Sequence, residues 1–253
     1  MRGAPSFVLA WLGLVVACRP IPTPPPTPTL DPQLAQARTA LQRGDAVAAL
    51  ALLEPFVQAH PEALDARVWL GEAYAMAGRL GEAERIYREV LQRAPDDVPA
   101  RLGLGATLVR SGRLSEAVAE ARTVLARHPQ EARAHYLMGL ALLQQNRVRE
   151  AQQAFDQALR LRSDFPEAYV GRGSARMLEG DFAGAEADLR RALALRPGMP
   201  EALYWLGRLL AHQGKVDEAR ALLRQFLETH PPSPFAEEIE ALLQMLGEAP
   251  GAP

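Results

Sequence analysis

Residues 64–97 read LDARVWLGEAYAMAGRLGEAERIYREVLQRAPDD, and this stretch decides the fold. It is rich in alanine and leucine, which are strong helix formers. Gly78 falls between two helical stretches, where a tight turn favours a residue that tolerates positive φ. Pro95 follows the second stretch, and proline cannot continue a helix. The segment therefore predicts a pair of helices joined by a short turn.

The same pattern recurs along the chain, because Pro61 and Pro95 are 34 residues apart and other registers share that period. The prolines are Pro61, Pro95, Pro129, Pro197 and Pro231, with Ser163 in the missing place. The turn residues are Gly44, Gly78, Gly112, Asn146, Gly180 and Gly214, and Asn is the expected substitute for Gly there. Small residues recur in both helices, at Gly71, Gly105, Gly139, Gly173 and Gly207 and at Ala49, Ala83, Ala117, Ala151, Ala185 and Ala219. Four registers with one period predict a repeat protein in which small residues let paired helices approach closely.

The pattern resembles the tetratricopeptide repeat, a helix–turn–helix unit of about 34 residues. The second repeat carries the resemblance best, through Trp69, Leu70, Gly71, Tyr74, Gly78, Ala83, Tyr87 and Pro95. The resemblance implies an all-α fold, a right-handed superhelical solenoid of six repeats over residues 32–232. The repeats would lie at about 30–63, 64–97, 98–131, 132–165, 166–199 and 200–233. The spacing of Phe235, Ile239, Leu242, Leu243 and Leu246 predicts a capping helix at 234–247, and residues 248–253 are expected to be a disordered tail.

The N-terminal segment, MRGAPSFVLAWLGLVVAC, reads as an export signal at residues 1–17 that ends before Cys18. The run Leu14-Val15-Val16-Ala17-Cys18 resembles the lipobox of bacterial lipoproteins, in which the cysteine is lipidated. Residues 18–31 would then be the lipidated cysteine and a proline-rich linker, an extended spacer. An ordinary cleaved signal or a buried N-terminal helix, with Cys18 incidental in either case, is the alternative. Because Arg19 follows the cysteine where an inner-membrane signal would have Asp, we expect a lipid anchor on the periplasmic side, in the outer membrane.

Composition argues against several functions. The formal net charge is −2 and there is no basic run, so nucleic-acid binding is not expected. One cysteine allows neither an internal disulfide nor a thiolate-rich zinc site. We find no nucleophile with its base, no paired metal motif and no phosphate loop. The adjacent acids Asp96-Asp97 and Glu237-Glu238 are interpreted as helix caps. We therefore expect no enzyme activity, no cofactor, no metal and no small-molecule substrate.

The family resemblance implies that partners bind along the first helices of the hairpins, on the concave side, as extended peptides or helices. Helical geometry separates the packing positions of those helices from another set of positions on a different side. Reading that set through the third to sixth repeats gives a predicted partner-binding groove of mainly apolar residues. Its members are Leu102, Ala106, Val109, Tyr136, Leu140, Leu143, Val170, Met177, Tyr204 and Arg208. The alternative is that some of these side chains pack against the neighbouring hairpin.

The sequence therefore predicts a non-catalytic protein-interaction scaffold anchored to the bacterial envelope. The combination of six repeats and a lipid anchor is similar to lipoproteins that assist type IV pilus secretins, which makes pilotin-like assembly one alternative. A general periplasmic adaptor for envelope assembly is the other. The sequence does not identify the protein partner.

Overall fold

The computed structural model describes residues 31–230 and 235–247. The predicted signal segment, Cys18 and nearly all of the proline-rich linker lie outside these ranges, as does the predicted tail at 248–253. Within them the chain forms thirteen α-helices. These are α1 (Pro32–Gln42), α2 (Ala46–Ala59), α3 (Leu64–Met76), α4 (Leu80–Arg93), α5 (Val98–Arg110), α6 (Leu114–Arg127), α7 (Ala132–Gln144), α8 (Val148–Leu161), α9 (Pro166–Glu179), α10 (Phe182–Leu195), α11 (Pro200–His212), α12 (Val216–Thr229) and α13 (Ala236–Met245). The prediction of an all-α repeat solenoid is confirmed.

The turn within each hairpin has a left-handed residue at its centre. Gly78 has a φ of 76°, and Asn146 occupies the same place in the fourth hairpin with a φ of 59°. A side chain with a Cβ atom is strained there, and Asn tolerates the conformation better than most residues. The expectation that Asn146 replaces a turn glycine is therefore confirmed.

Small residues let the two helices of a hairpin approach each other. A Cβ atom added to Gly71 on α3 would lie 2.8 Å from the ring of Tyr87 on α4. Tyr87 also fills the space beside Gly103 on α5, where an added Cβ atom would lie 2.4 Å from its ring. One buried aromatic ring thus joins its own hairpin to the next, and glycine is required on both sides of it.

The odd-numbered helices α1 to α11 form the inner side of the stack. Each contacts the next odd-numbered helix as well as its own hairpin partner. The even-numbered helices of the described hairpins share no comparable contact with one another. Closer approach on one side of a stack places that side on the inside of its curve, so side chains of the odd-numbered helices line the inner face.

The apolar core differs between the ends of the stack. One buried cluster runs without interruption from Ala37 to Phe155, through the first four hairpins. In the fifth hairpin, Asp188 is only 4% exposed and lies against Arg172 and Arg176. The corresponding residues of the sixth hairpin are Leu222, Leu206 and Leu210, each 34 residues further along the chain. The fifth hairpin therefore keeps the helical fold with charged side chains in part of its interior.

Candidate partner-binding cleft

The structure separates the ten predicted groove residues by burial. Four are buried: Leu102, Val109, Val170 and Tyr204, with exposed fractions of 6%, 6%, 8% and 4%. They pack within the clusters that join neighbouring hairpins. The other six are partly or fully exposed: Ala106, Tyr136, Leu140, Leu143, Met177 and Arg208. The burial of Leu102, Val170 and Tyr204 agrees with the alternative that some of the predicted groove residues pack against the neighbouring hairpin.

Four of the predicted residues converge on one cleft between the third and fifth hairpins. Leu102 and Ala106 come from α5, and Tyr136 and Leu140 come from α7. The cleft has a volume of about 280 Å³. Its remaining lining residues are Arg133, Leu137, Arg162, Phe165 and Glu167. The inner face therefore contains a concave site with a largely apolar floor, of the kind that accepts an apolar side chain from another molecule.

Aromatic rings form one wall of the cleft. The ring of Tyr136 lies 4.9 Å from that of Phe165 and 6.0 Å from that of Phe155, measured between centroids. Burial raises the pKa of the Tyr136 hydroxyl above its ordinary value, so that hydroxyl stays protonated and neutral. Phe165 is only 4% exposed and precedes α9. The aromatic wall is thus held by packing between the fourth hairpin and the start of the fifth.

Two arginines give the cleft a positive edge. Arg133 is an exposed residue of α7, and Arg162 follows α8 with its guanidinium 3.4 Å from the ring centre of Phe165. Within the described ranges, neither guanidinium has a carboxylate partner. Glu167 does not neutralise them, because it accepts a hydrogen bond of 2.7 Å from Arg196. The cleft therefore combines an apolar floor with two arginines that have no carboxylate partner among the described residues, while the carboxylates of Glu167 and Glu201 lie close enough to act on Tyr136.

The sequence interpretation missed Arg162 and Phe165 because it read only the first helix of each repeat. Phe165 and Arg162 lie in the connection between α8 and α9. One signal was present in the sequence. Phe165 occupies the repeat position held by Asp97 and Glu131, which cap α5 and α7 through their side chains. A large aromatic residue in place of a capping acid indicates that this connection does more than cap the helix that follows it.

The last two predicted groove residues contact the last described helix, α13. The hydroxyl of Tyr204 donates a hydrogen bond of 2.9 Å to Glu238 of α13. The guanidinium of Arg208 donates to the Tyr204 oxygen at 2.6 Å and lies 3.2 Å from Glu238. Glu238 is therefore more than the solvated cap that the sequence suggested. A separate pocket of about 220 Å³ adjoins this cluster, lined by Pro200, Glu201, Tyr204, Trp205, Phe226, His230 and Phe235.

The described ranges contain no helix with the length and apolar character needed to cross a bilayer. They also contain no group of three or more His, Cys, Asp or Glu side chains placed to hold a metal ion.

Comparison with known proteins identifies the repeat. Family models described as tetratricopeptide repeat match residues 34–98, 76–141, 136–200 and 176–246. PilW, described as a widely conserved type IV pilus biogenesis factor, has a similar fold with a TM-score of 0.66 and 20% identity, covering 85% of this chain and 97% of PilW. TTC0263, a thermophilic tetratricopeptide-repeat protein from Thermus thermophilus, has a similar fold with a TM-score of 0.65 and 24% sequence identity. The match covers 73% of this chain and 98% of TTC0263. PilF of Pseudomonas aeruginosa has a TM-score of 0.62 and 20% sequence identity, and the match covers 83% of this chain and 95% of PilF. No curated protein sequence matches significantly.

Proposed function

This chain belongs to the tetratricopeptide-repeat family, and on that premise we propose that it is a non-catalytic scaffold of the bacterial envelope that holds a protein partner in its inner cleft. Repeats of this family form scaffolds for protein–protein interaction. The observation that carries the proposal is the convergence of Leu102, Ala106, Tyr136 and Leu140 on one apolar cleft. The occupant is an extended peptide or a helix, which anchors an apolar side chain there.

Ala106 offers a way to block the cleft without disturbing the fold. It is exposed, and the same place in the first and last repeats is held by Arg38 and Arg208. Arginine is therefore compatible with this helix position, and Ala106→Arg would place a long charged side chain over the apolar floor. The matched control is Ala119→Arg, an exposed alanine on α6 that does not line the cleft.

The test is a crosslinked pull-down from native membranes with wild type and both variants. We expect the principal captured protein to be retained by Ala119→Arg and lost from Ala106→Arg, with circular dichroism showing the same helix content in all three. Retention of that partner by the folded Ala106→Arg protein would contradict the site. Identification of the partner by mass spectrometry would then separate an assembly role from that of a general adaptor.

We propose that Cys18 carries the lipid anchor, because it follows an apolar run and precedes a proline-rich segment. Metabolic labelling with an alkyne-bearing fatty acid should label the wild-type protein and place it in the membrane fraction. Cys18→Ser should lose both the label and the membrane association. An unlabelled wild-type protein would refute lipidation, and fractionation of inner and outer membranes tests the proposed outer-membrane location.

A part in type IV pilus assembly is a second candidate function. It is favoured by the combination of a proposed lipid anchor with six hairpins that match PilW over most of both chains. The likeness at 20% identity concerns the fold, so the pilus role rests on that combination. Deletion of the gene should reduce surface pili and secretin multimers if the role is correct. Normal pili and normal multimers in the deletion strain would reject it.

A further inference from the structure

We infer that the segment bound in the cleft is acidic: it carries an aspartate or glutamate side chain beside its apolar anchor. This inference rests on the proposed function, since it specifies the chemistry of the partner at the same cleft. Three observations lead to it: the shape of the floor, the lack of a carboxylate partner for the two arginines, and the lack of acid in residues 19–30 of the chain's own proline-rich segment.

The apolar floor specifies the anchor. Leu102, Ala106 and Leu140 provide aliphatic surface, and Tyr136 and Phe165 provide aromatic surface. A cleft of about 280 Å³ has room for one leucine or phenylalanine side chain. An anchor of this kind displaces water from the floor, which contributes affinity but little selectivity among apolar residues.

The arginines specify the charge beside the anchor. Arg162 is held in place by stacking on Phe165, and no described carboxylate pairs with it. A carboxylate satisfies a guanidinium through two parallel hydrogen bonds. Arg133 on the same edge adds a second positive charge. Stacking fixes the Arg162 fork in advance, so less side-chain entropy is lost when a carboxylate binds.

The chain's own linker does not fit this description. The linker, residues 18–31, has a single acidic residue, Asp31, which directly precedes α1 and is not among the residues that line the cleft; residues 19–30, RPIPTPPPTPTL, contain none. Charge complementarity therefore favours a segment of another protein over the proline-rich segment of this chain.

The experiment is selection of random peptides displayed on phage against the purified protein. We expect the peptides that bind wild type to be enriched in Asp or Glu adjacent to Leu, Phe, Trp or Tyr. A fluorescein-labelled peptide from that selection should bind about tenfold more weakly to Arg133→Gln, and a further tenfold more weakly when Arg162→Gln is added. Because Arg133 is exposed, its substitution leaves the fold intact even if Arg162→Gln disturbs the aromatic wall.

The matched control is the double variant Arg160→Gln with Arg191→Gln. Both arginines are exposed on α8 and α10 and lie outside the cleft, and the variant removes the same charge. It should retain wild-type affinity for the labelled peptide. Equal weakening in the control and in the double variant Arg133→Gln with Arg162→Gln would show a general charge effect and overturn the inference.

The Ala106→Arg variant separates failure of this inference from failure of the proposed function. Peptides that lose binding in Ala106→Arg but show no acidic enrichment would leave the cleft as the partner site and refute the acidic partner. Peptides that bind Ala106→Arg as well as wild type would refute both. Selection of peptides resembling residues 19–30 would instead indicate that the chain's own linker occupies the cleft, which also contradicts the inference.

Discussion

The fifth and sixth hairpins have the same backbone plan but different interiors. The sixth packs Leu206 and Leu210 of α11, both at most 1% exposed, into an apolar cluster. At the corresponding places the fifth has Arg172 and Arg176, which meet Asp188 of α10. The repeat therefore fixes where helices begin, turn and end, and leaves the chemistry of the interior free to change. A solenoid allows this because each hairpin contacts mainly its neighbours.

The charged interior of the fifth hairpin is well ordered geometrically. Arg172 donates two parallel hydrogen bonds to Asp188, of 2.9 and 2.6 Å, and a third of 2.7 Å to Asp156 on α8. Arg176 donates to Asp188 at 2.8 Å. These bonds hold the pKa of Arg172 above its ordinary value, although burial alone would lower it. Asp188 is the shared acceptor on which the arrangement depends.

Removal of that acceptor is the largest effect we predict. Asp188→Ala leaves Arg172 and Arg176 partly buried without their principal carboxylate, and breaking a buried ion pair typically costs about 3–5 kcal/mol. Alanine itself fits, because Ala154 holds the same place in the fourth hairpin. The free energy of unfolding is measured by urea denaturation.

The control for this measurement is Asp156→Ala. Asp156 bonds to Arg172 but its side chain is 38% exposed, so water can replace it and a much smaller loss is expected. Equal losses in the free energy of unfolding of the two variants would mean that the burial of Asp188 has no special role. The charged interior of the fifth hairpin would then not depend on a buried acceptor.

Conversion of the fifth hairpin into the chemistry of the sixth is the next test. The triple variant Arg172→Leu, Arg176→Leu, Asp188→Leu introduces the three leucines found 34 residues later. Replacement of a complete buried ionic group by apolar residues is often neutral or stabilising by about 1–4 kcal/mol. We expect the triple variant to be at least as stable as wild type in the same urea titration.

A triple variant as unstable as Asp188→Ala would contradict this expectation. It would show that the three leucines do not pack well against α8 and α10. The space between these helices would then fit the ionic group better than the leucines of the sixth hairpin. The midpoint of the urea transition reports the change in stability, and its slope reports whether the compactness of the protein has changed as well.

A third prediction compares two junctions that have the same packing. Gly103 faces Tyr87 within the apolar part of the stack, and Gly171 faces Phe155 where the apolar part meets the fifth hairpin. An added Cβ atom would lie 2.4 Å and 2.6 Å from the respective rings. Overpacking of this kind costs about 1–3 kcal/mol, so Gly103→Ala and Gly171→Ala should each lower the free energy of unfolding by about that amount.

Equal losses would show that the charged hairpin joins its neighbour as rigidly as the apolar hairpins join one another. A loss of stability confined to Gly103→Ala would show that the fifth hairpin can shift to accommodate the added methyl group. Gly81→Ala is the matched control, because an added Cβ atom at Gly81 of α4 meets nothing within 4 Å. It should be neutral or slightly stabilising, since alanine favours the helix more than glycine does.

The features that the sequence predicted correctly depend on local backbone requirements. A left-handed turn requires Gly or Asn wherever it occurs, so the place of Asn146 could be read directly. The cleft was only partly predictable. Tyr136 and Leu140 follow from helix periodicity, but the burial of Leu102 and Val170 depends on the distance between neighbouring odd-numbered helices. The periodicity of residues within one helix does not predict that distance between helices.

The remaining features bring together residues from more than one helix. Arg172 meets acids from both α8 and α10, and no spacing within one repeat indicates that pairing. Arg162 and Phe165 lie in a connection, where the repeat pattern places few constraints on side chains. Comparison of equivalent positions would have marked Arg172, because the neighbouring repeats have Met138 and Leu206 there. It would have marked Phe165 against the acids Asp97 and Glu131 of the preceding repeats, but not Arg162, whose place in the next repeat is again arginine, Arg196.

The smallest predicted effect concerns the entry to the second helix of the hairpins. In the second, third and fourth hairpins an arginine before the helix bonds to a glutamate three residues later, as Arg113 does to Glu116 at 2.7 Å. The fifth hairpin uses Asp181 instead, whose side chain accepts a hydrogen bond of 2.9 Å from the Gly184 amide. The hydrogen bonds from arginine lower the pKa of Glu82, Glu116 and Glu150 below the ordinary value of 4.5.

A lowered folded-state pKa means that the unfolded state binds protons more readily, so this stabilisation is present above a pH of about 4.5 and is lost as the pH falls through the lowered values. The melting temperature of wild type should therefore fall on acidification through that range. Glu82→Gln, Glu116→Gln and Glu150→Gln together should flatten this part of the pH profile while changing the melting temperature little near neutrality, because these pairs are exposed. An unchanged acid profile in the triple variant would place the acid sensitivity outside these three pairs.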